Sequence, residues 1–153
     1  RAIGMKPDLM ICDEIVSSLD VSIQAQMVEL LLELRKELGL ALLFIAHDLS
    51  LVKTLSDRLY VMYLGKIVES GSTEYILSHP RHPYTRALIE AVPTLDRSKP
   101  PAILEGEVPS FTNMPVGCSF QNRCLHRSDQ CQQMPGITEN QGREVRCFHS
   151  LDK

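Results

Sequence analysis

Two adjacent carboxylates, Asp13 and Glu14, close an apolar run in LMICDEIVSSLD (residues 9–20), and Asp20 follows six residues after Glu14. Carboxylates are costly to leave beside a core without a counter-charge. A cation such as Mg²⁺ seated at the end of the run explains them, and so does a solvated turn. A second apolar run ends in a polar pair as well: IAHDLS (residues 45–50) carries His47 and Asp48. Taken singly, His47 reads as a hydrogen-bonded structural residue, and SSLD (17–20) as a turn in which Asp20 caps the next helix.

The second group with chemistry in it is made of thiols. Cys12 stands alone in the first apolar run, whereas Cys118, Cys124, Cys131 and Cys147 crowd the last quarter, with five, six and fifteen residues between them. These spacings are wider than the C-x₂₋₄-C of zinc ribbons. A reducing compartment disfavours disulfides. A metal centre can organise a loop-rich segment with little core, because ligand binding supplies folding energy. Zinc and unmetallated thiols both remain open. Cys12 reads as a small apolar core residue.

The elements that must position these groups follow from periodicity. Residues 8–12 and 40–46 are continuous apolar runs, each read as a fully buried strand. Between them, 21–38 reads as a helix with Ile23, Met27, Leu30, Leu31, Leu34 and Leu38 on one face, ended by Gly39. Strand, helix and strand at this spacing imply a right-handed crossover and a parallel sheet. In such a sheet ligands bind at the carboxyl edge, so Asp13, Glu14 and His47 are expected to converge there. A short helix over 49–56 and a hairpin of 58–63 with 66–70 come next. Two short helices follow, split by the proline turn HPRHP, with Pro83 at a first helical position and His79 and His82 exposed. Residues 93–117 read as linker, and 118–153 as too poor in apolar residues for a core of their own. The expected division is 1–92 and 93–153.

In this order the motifs resemble the second half of an ABC-transporter ATPase, a P-loop (RecA-like) α/β domain with parallel strands. LMICDE resembles the Walker B strand, SSLD the D-loop, and AHD the switch-histidine loop. The resemblance implies that Asp13 holds Mg²⁺, that Glu14 polarises the attacking water, and that His47 senses the γ-phosphate of ATP. Ser18 to Asp20 would reach the other subunit's site in a head-to-tail dimer. The residue types suit phosphoryl transfer, which needs a cation on oxygen ligands, a positioned water and charge stabilisation. Ile15 departs from the pattern, since the family usually has proline after Asp-Glu.

No G-x-x-x-x-G-K-[ST] phosphate loop, glutamine loop or LSGGQ-type signature occurs in the 153 residues. The opening Arg1-Ala2-Ile3-Gly4 carries no initiator methionine, so a fragment is expected, inactive by itself. His-Pro-Tyr-Thr (82–85) and GCSFQNRC (117–124) are similar to the C-terminal region and cysteine-bearing tail of oligopeptide and dipeptide importer ATPases. Nickel importers share this architecture. The resemblance implies a [4Fe–4S] cluster on Cys118, Cys124, Cys131 and Cys147, with Zn²⁺ as the alternative. It also implies a second ATPase subunit, transmembrane permeases, a peptide-binding protein acting indirectly, and a place on the cytoplasmic face of the membrane. A stand-alone metal-cluster or interaction module is the rival reading.

Composition bounds these readings. With 44% hydrophobic and 23% charged residues the chain is globular in character. A net charge of −3 lacks the basic footprint of a nucleic-acid binder and argues against a DNA-repair ATPase. The longest apolar run, residues 38–46, is too short to span a bilayer.

Overall fold

The computed structural model describes residues 2–15, 19–92, 104 and 106–151. The fold is α/β, with one parallel and one antiparallel sheet. The chain forms two compact units that part between Ser56 and Asp57. The 92/93 division expected from the prolines falls inside the second unit, and residues 93–103 lie outside the described residues.

The first unit is a strand–helix–strand crossover. β1 (Leu9–Asp13) and β2 (Ala41–Ile45) pair in parallel, from Leu9 opposite Ala41 to Asp13 opposite Ile45. α1 (Val21–Leu38) connects them, and α2 (Leu49–Leu55) follows β2. α1 stops where Gly39 turns left-handed (φ 63°) and its N–H reaches the Arg35 carbonyl, a conformation glycine adopts without steric cost. α2 starts at Asp48, whose Oδ1 accepts from the Ser50 N–H at 2.8 Å.

Three sequence expectations are corrected here. Asp20 occupies the N-cap position of α1, but its carboxylate makes no capping bond. The buried stripe of α1 centres on Val28 and Leu31, while Ile23, Leu30 and Leu38 are exposed. The strands are not fully buried: Leu9, Ile11, Leu43 and Ile45 are exposed, and Cys12 is the one deeply buried residue of β1. Among the described residues β1 and β2 pair only with each other. Two strands under one helical layer cover one face, so alternate apolar side chains stay open.

The second unit is built on an antiparallel sheet. β3 (Arg58–Tyr63) and β4 (Lys66–Ser72) form the expected hairpin. It turns at Leu64 (φ 44°) and Gly65 (φ 73°), the double positive φ of a type I′ turn. α3 (Thr73–Ser78) and α4 (Pro83–Glu90) follow, with Pro83 at the start of α4. β5 (Thr138–Asn140) and β6 (Arg143–Val145) make a second hairpin, and β6 lies beside β4 to give the order β3-β4-β6-β5. The core joins Val61, Tyr63, Val68 and Ile76 to Phe120. The cysteine-bearing segment thus has no separate core; it completes that of the hairpin.

The turn between α3 and α4 is held from inside. Glu69, 1% exposed, accepts from the N–H groups of Arg81 and His82, both at 2.9 Å, and from Arg143 Nη2 at 3.3 Å. Arg143 also donates to the His79 carbonyl, and its guanidinium lies 5.0 Å from the Tyr75 ring centre. His82 departs from its expected exposure: it is 1% exposed, while His79 is exposed. Its Nδ1 accepts from the Tyr84 N–H at 3.0 Å and caps α4. Burial pushes its pKa down to about 4, so the ring is neutral near pH 7, as an accepting Nδ1 requires.

Candidate functional site

Parallel pairing brings the ends of β1 and β2 to one edge. The Glu14 N–H donates to the Ile45 carbonyl at 3.0 Å, one step past the ladder. Glu14 then turns into the left-handed region, φ 46°, which L-residues other than glycine adopt rarely and at a cost. From there Glu14 Oε1 lies 3.1 Å from Nδ1 of His47, two residues after β2. A carboxylate only accepts, so Nδ1 is the protonated nitrogen of this pair. Both side chains are exposed. Asp13 is exposed at the same edge and Asp20 opens α1, whereas Ser18 lies outside the described residues. Asp48 is committed to the α2 cap.

A cavity of about 50 Å³ opens beside the pair, lined by Glu14, Gln24, Phe44, Ala46, His47, Asp48 and Leu51. Sequence reading did not single out Gln24. It sits in the first turn of α1, where its backbone N–H donates to the Asp20 carbonyl at 2.8 Å. The signal was available, since a polar residue four positions past the N-cap lies on the side of the helix nearest its start.

The second cluster lies in the tail. All five cysteines are free thiols. Burial, the leading cause, pushes the Cys118 and Cys124 thiols up and takes Cys147 to about 11. The four tail thiols are electrostatic neighbours: Cys131 acts on Cys118, Cys118 and Cys131 on Cys124, and all three on Cys147. Backbone N–H groups oppose the burial. Those of Phe120 and Gln121 serve Cys118, that of His126 serves Cys124, and that of His149 reaches Cys147 Sγ at 3.3 Å. Donors of this kind stabilise sulfur that carries negative charge.

Gly117 fixes the approach of the two loops that carry Cys118 and Cys131. The Cys118 N–H donates to the Cys131 carbonyl at 2.9 Å. At Gly117 (φ 88°) an added Cβ would stand 2.5 Å from that carbonyl oxygen. The thiols are gathered, yet no three His, Cys, Asp or Glu side chains among the described residues form a group able to hold a metal ion. The expected four-cysteine ligand set is not closed here. As placed, the four sulfurs do not enclose a metal ion.

Residues 68–131 match the family described as oligopeptide/dipeptide transporter, C-terminal region. The chain is 49% identical to the oligopeptide transport ATP-binding protein OppF of Haemophilus influenzae, over 99% of this chain and 47% of that protein. Against OppF of Escherichia coli K12 the identity is 50%, over 97% and 46%. Against the dipeptide transport ATP-binding protein DppF of the same organism it is 46%, over 97% and 45%. The chain thus spans a little under half the length of these relatives. Residues 68–131 thus match the oligopeptide/dipeptide transporter C-terminal region, and over nearly its whole length the chain resembles the ATP-binding proteins of oligopeptide and dipeptide transport.

Proposed function

We propose that this chain is part of the ATP-hydrolysing subunit of an ABC importer for oligopeptides or dipeptides. The observation that carries the reading is the Glu14–His47 contact at 3.1 Å, at the common end of two parallel strands. Glu14 takes the proton of the attacking water, and His47 stands at the γ-phosphate end of the site. Asp13, exposed and one residue before the base, is the ligand for Mg²⁺; a site for this ion needs only one or two carboxylates beside water and phosphate oxygens. The bound ion supplies charge neutralisation at the transferring phosphoryl group. Ser18 and Asp20 serve the neighbouring ATPase subunit. Permease subunits and, through them, a peptide-binding protein complete the assembly, which places the subunit at the cytoplasmic face of the membrane. Among the described residues no helix is long and apolar enough to cross a membrane. The 153 residues alone, without a phosphate loop, do not turn ATP over.

The tail thiols form the second part of the proposal. Cys118, Cys124, Cys131 and Cys147 ligate an iron–sulfur cluster, with zinc as the alternative occupant. The electrostatic influence the thiols exert on one another and the N–H donors at three of the sulfurs support this.

The test is ATP turnover by the complete subunit, with the upstream coding sequence in frame, and by its Glu14→Gln variant. Removing a general base costs about 10²–10⁴-fold, so turnover falls by that factor while ATP is still retained on the protein. A variant as fast as the parent removes Glu14 from the chemistry. An upstream frame that encodes no phosphate loop removes the ATPase reading altogether.

A further inference from the structure

We propose that the outer edge of β5 is a docking site for an extended segment of a partner protein, one with a basic side chain between apolar ones, which adds to the sheet as a further strand. β5 ends the order β3-β4-β6-β5, so among the described residues only its β6 side is paired. The turn decides which backbone groups face outward. Gln141 and Gly142 both have positive φ, as in a two-residue hairpin turn, which a hydrogen-bonded pair closes. That pair is Asn140 with Arg143. Thr138 with Val145 is then the next hydrogen-bonded pair, and Glu139 with Glu144 is the open one between them. The far side of β6 agrees: the Arg146 N–H, two residues on from Glu144, donates to the Val68 carbonyl on β4 at 2.9 Å. The N–H and C=O of Glu139 therefore point away from β6, where an added strand meets them.

Two observations say what kind of segment fits. Residues 135–140, with Arg81, Val145 and Phe148 among the other walls, line an open cavity of about 610 Å³. Six consecutive residues line it, so it follows the strand edge. Ile137 and Phe148 are 53% and 40% exposed there, which gives apolar side chains of the segment a surface to cover. The second observation is charge. Glu139 and Glu144 stand directly opposite each other, an arrangement that destabilises a strand pair. Glu144 is met by a neutral donor, the Ser70 hydroxyl, 2.9 Å from Oε2, and Glu139 is exposed. A lysine or arginine opposite Glu139 on the added strand answers that repulsion. The same carboxylate disfavours a second copy of this chain, since β5 laid against β5 brings like charges together. At the other end of the sheet, β3 breaks register between Val61 and Met62, the kind of irregularity that blunts an edge.

The experiment is an NMR titration of this chain with two short capped peptides, one alternating valine with lysine and one alternating valine with glutamate. The lysine peptide is expected to shift the amides of residues 137–140 and to leave those of β3 in place. The glutamate peptide is expected to bind roughly five-fold more weakly, the scale of a cross-strand charge pair. Glu139→Lys reverses this preference, and Glu139→Gln abolishes it. Glu139→Pro further removes the outward N–H while sparing both hydrogen-bonded pairs with β6, an edge position where proline is tolerated, and it binds neither peptide. If the proline variant loses the β5–β6 signals, the reversal in Glu139→Lys carries the test. The proposal is overturned if neither peptide moves residues 137–140, if the parent binds both equally, or if a folded Glu139→Pro binds as well as Glu139→Gln. Edge amides that shift with protein concentration alone would assign the edge to a second copy and overturn it too. None of these readouts needs nucleotide or metal, so they are independent of the ATPase and metal-centre readings.

Discussion

At the scale of single residues, chemistry that depends on chain order could be read from sequence, and chemistry that depends on burial could not. Asp13, Glu14 and His47 were legible because two apolar runs ended in polar pairs and a parallel sheet puts such ends together. The left-handed backbone of Glu14 left no trace in its neighbours, nor did the burial of His82, which stands in a proline turn without periodicity. His82 now gives a sharp prediction. Its folded pKa is about 4 against an ordinary 6.5, so below pH 6.5 the unfolded chain binds a proton that the folded chain refuses. The stability His82 contributes is therefore complete above pH 6.5 and is lost as pH falls from there towards 4, on the order of 3 kcal/mol in all. His82→Asn keeps a capping acceptor for the Tyr84 N–H and removes the titration. Urea unfolding at a series of pH values is expected to show a shallower slope between pH 6.5 and 4 in the variant. Equal slopes would assign the acid lability to another group.

At the scale of elements, helical spacing marked α1 and continuous apolar runs marked β1 and β2, and α2 and the β3–β4 hairpin were long enough to read beside them. β5 and β6 are three residues each, too short for any alternation to register. Their turn at Gln141 (φ 54°) and Gly142 (φ 73°) was the one available cue. What ties these elements together is a buried carboxylate that no pattern marks. Glu69 on β4 satisfies two N–H groups of the α3–α4 turn and pairs with Arg143 on β6. Sequence reading placed the proline turn on the surface because proline and histidine are common there. The structure anchors it from beneath through its backbone. Glu69→Ala leaves Arg143 buried without its carboxylate and two N–H groups without acceptors, a loss of about 3–5 kcal/mol. Glu69→Gln keeps an acceptor oxygen and is expected to cost clearly less. Thermal unfolding of the two variants checks the order; equal costs would mean the charge pair, and not the backbone acceptors, dominates.

For the whole molecule, the second unit decides what the thiols can do. The tail reads from sequence as too poor in apolar residues for a core of its own, a segment that a metal centre could organise. In the structure it shares the core of the hairpin: Phe120 is buried among Val61, Tyr63, Val68 and Ile76, and β6 lies between β4 and β5. The four tail cysteines therefore ride on a scaffold stabilised by apolar burial and by the Glu69 network. On the proposed reading, metal binding would draw the four sulfurs together and deprotonate thiols that burial has pushed up. A cation offsets the cost of that deprotonation and a bare site does not. Two consequences separate this arrangement from one folded by its metal. Protein purified without oxygen is expected to contain iron with matching acid-labile sulfide, and Cys124→Ser to lose both. Removing the metal is expected to leave the β3–β4 sheet signal in circular dichroism intact while the tail amides near Cys118 and Cys131 lose exchange protection. Zinc without sulfide would replace the cluster by a structural ion, and folded protein with no metal would end the metal-centre reading. Collapse of the sheet on chelation would show that the centre, and not Phe120 and Glu69, holds the second unit together.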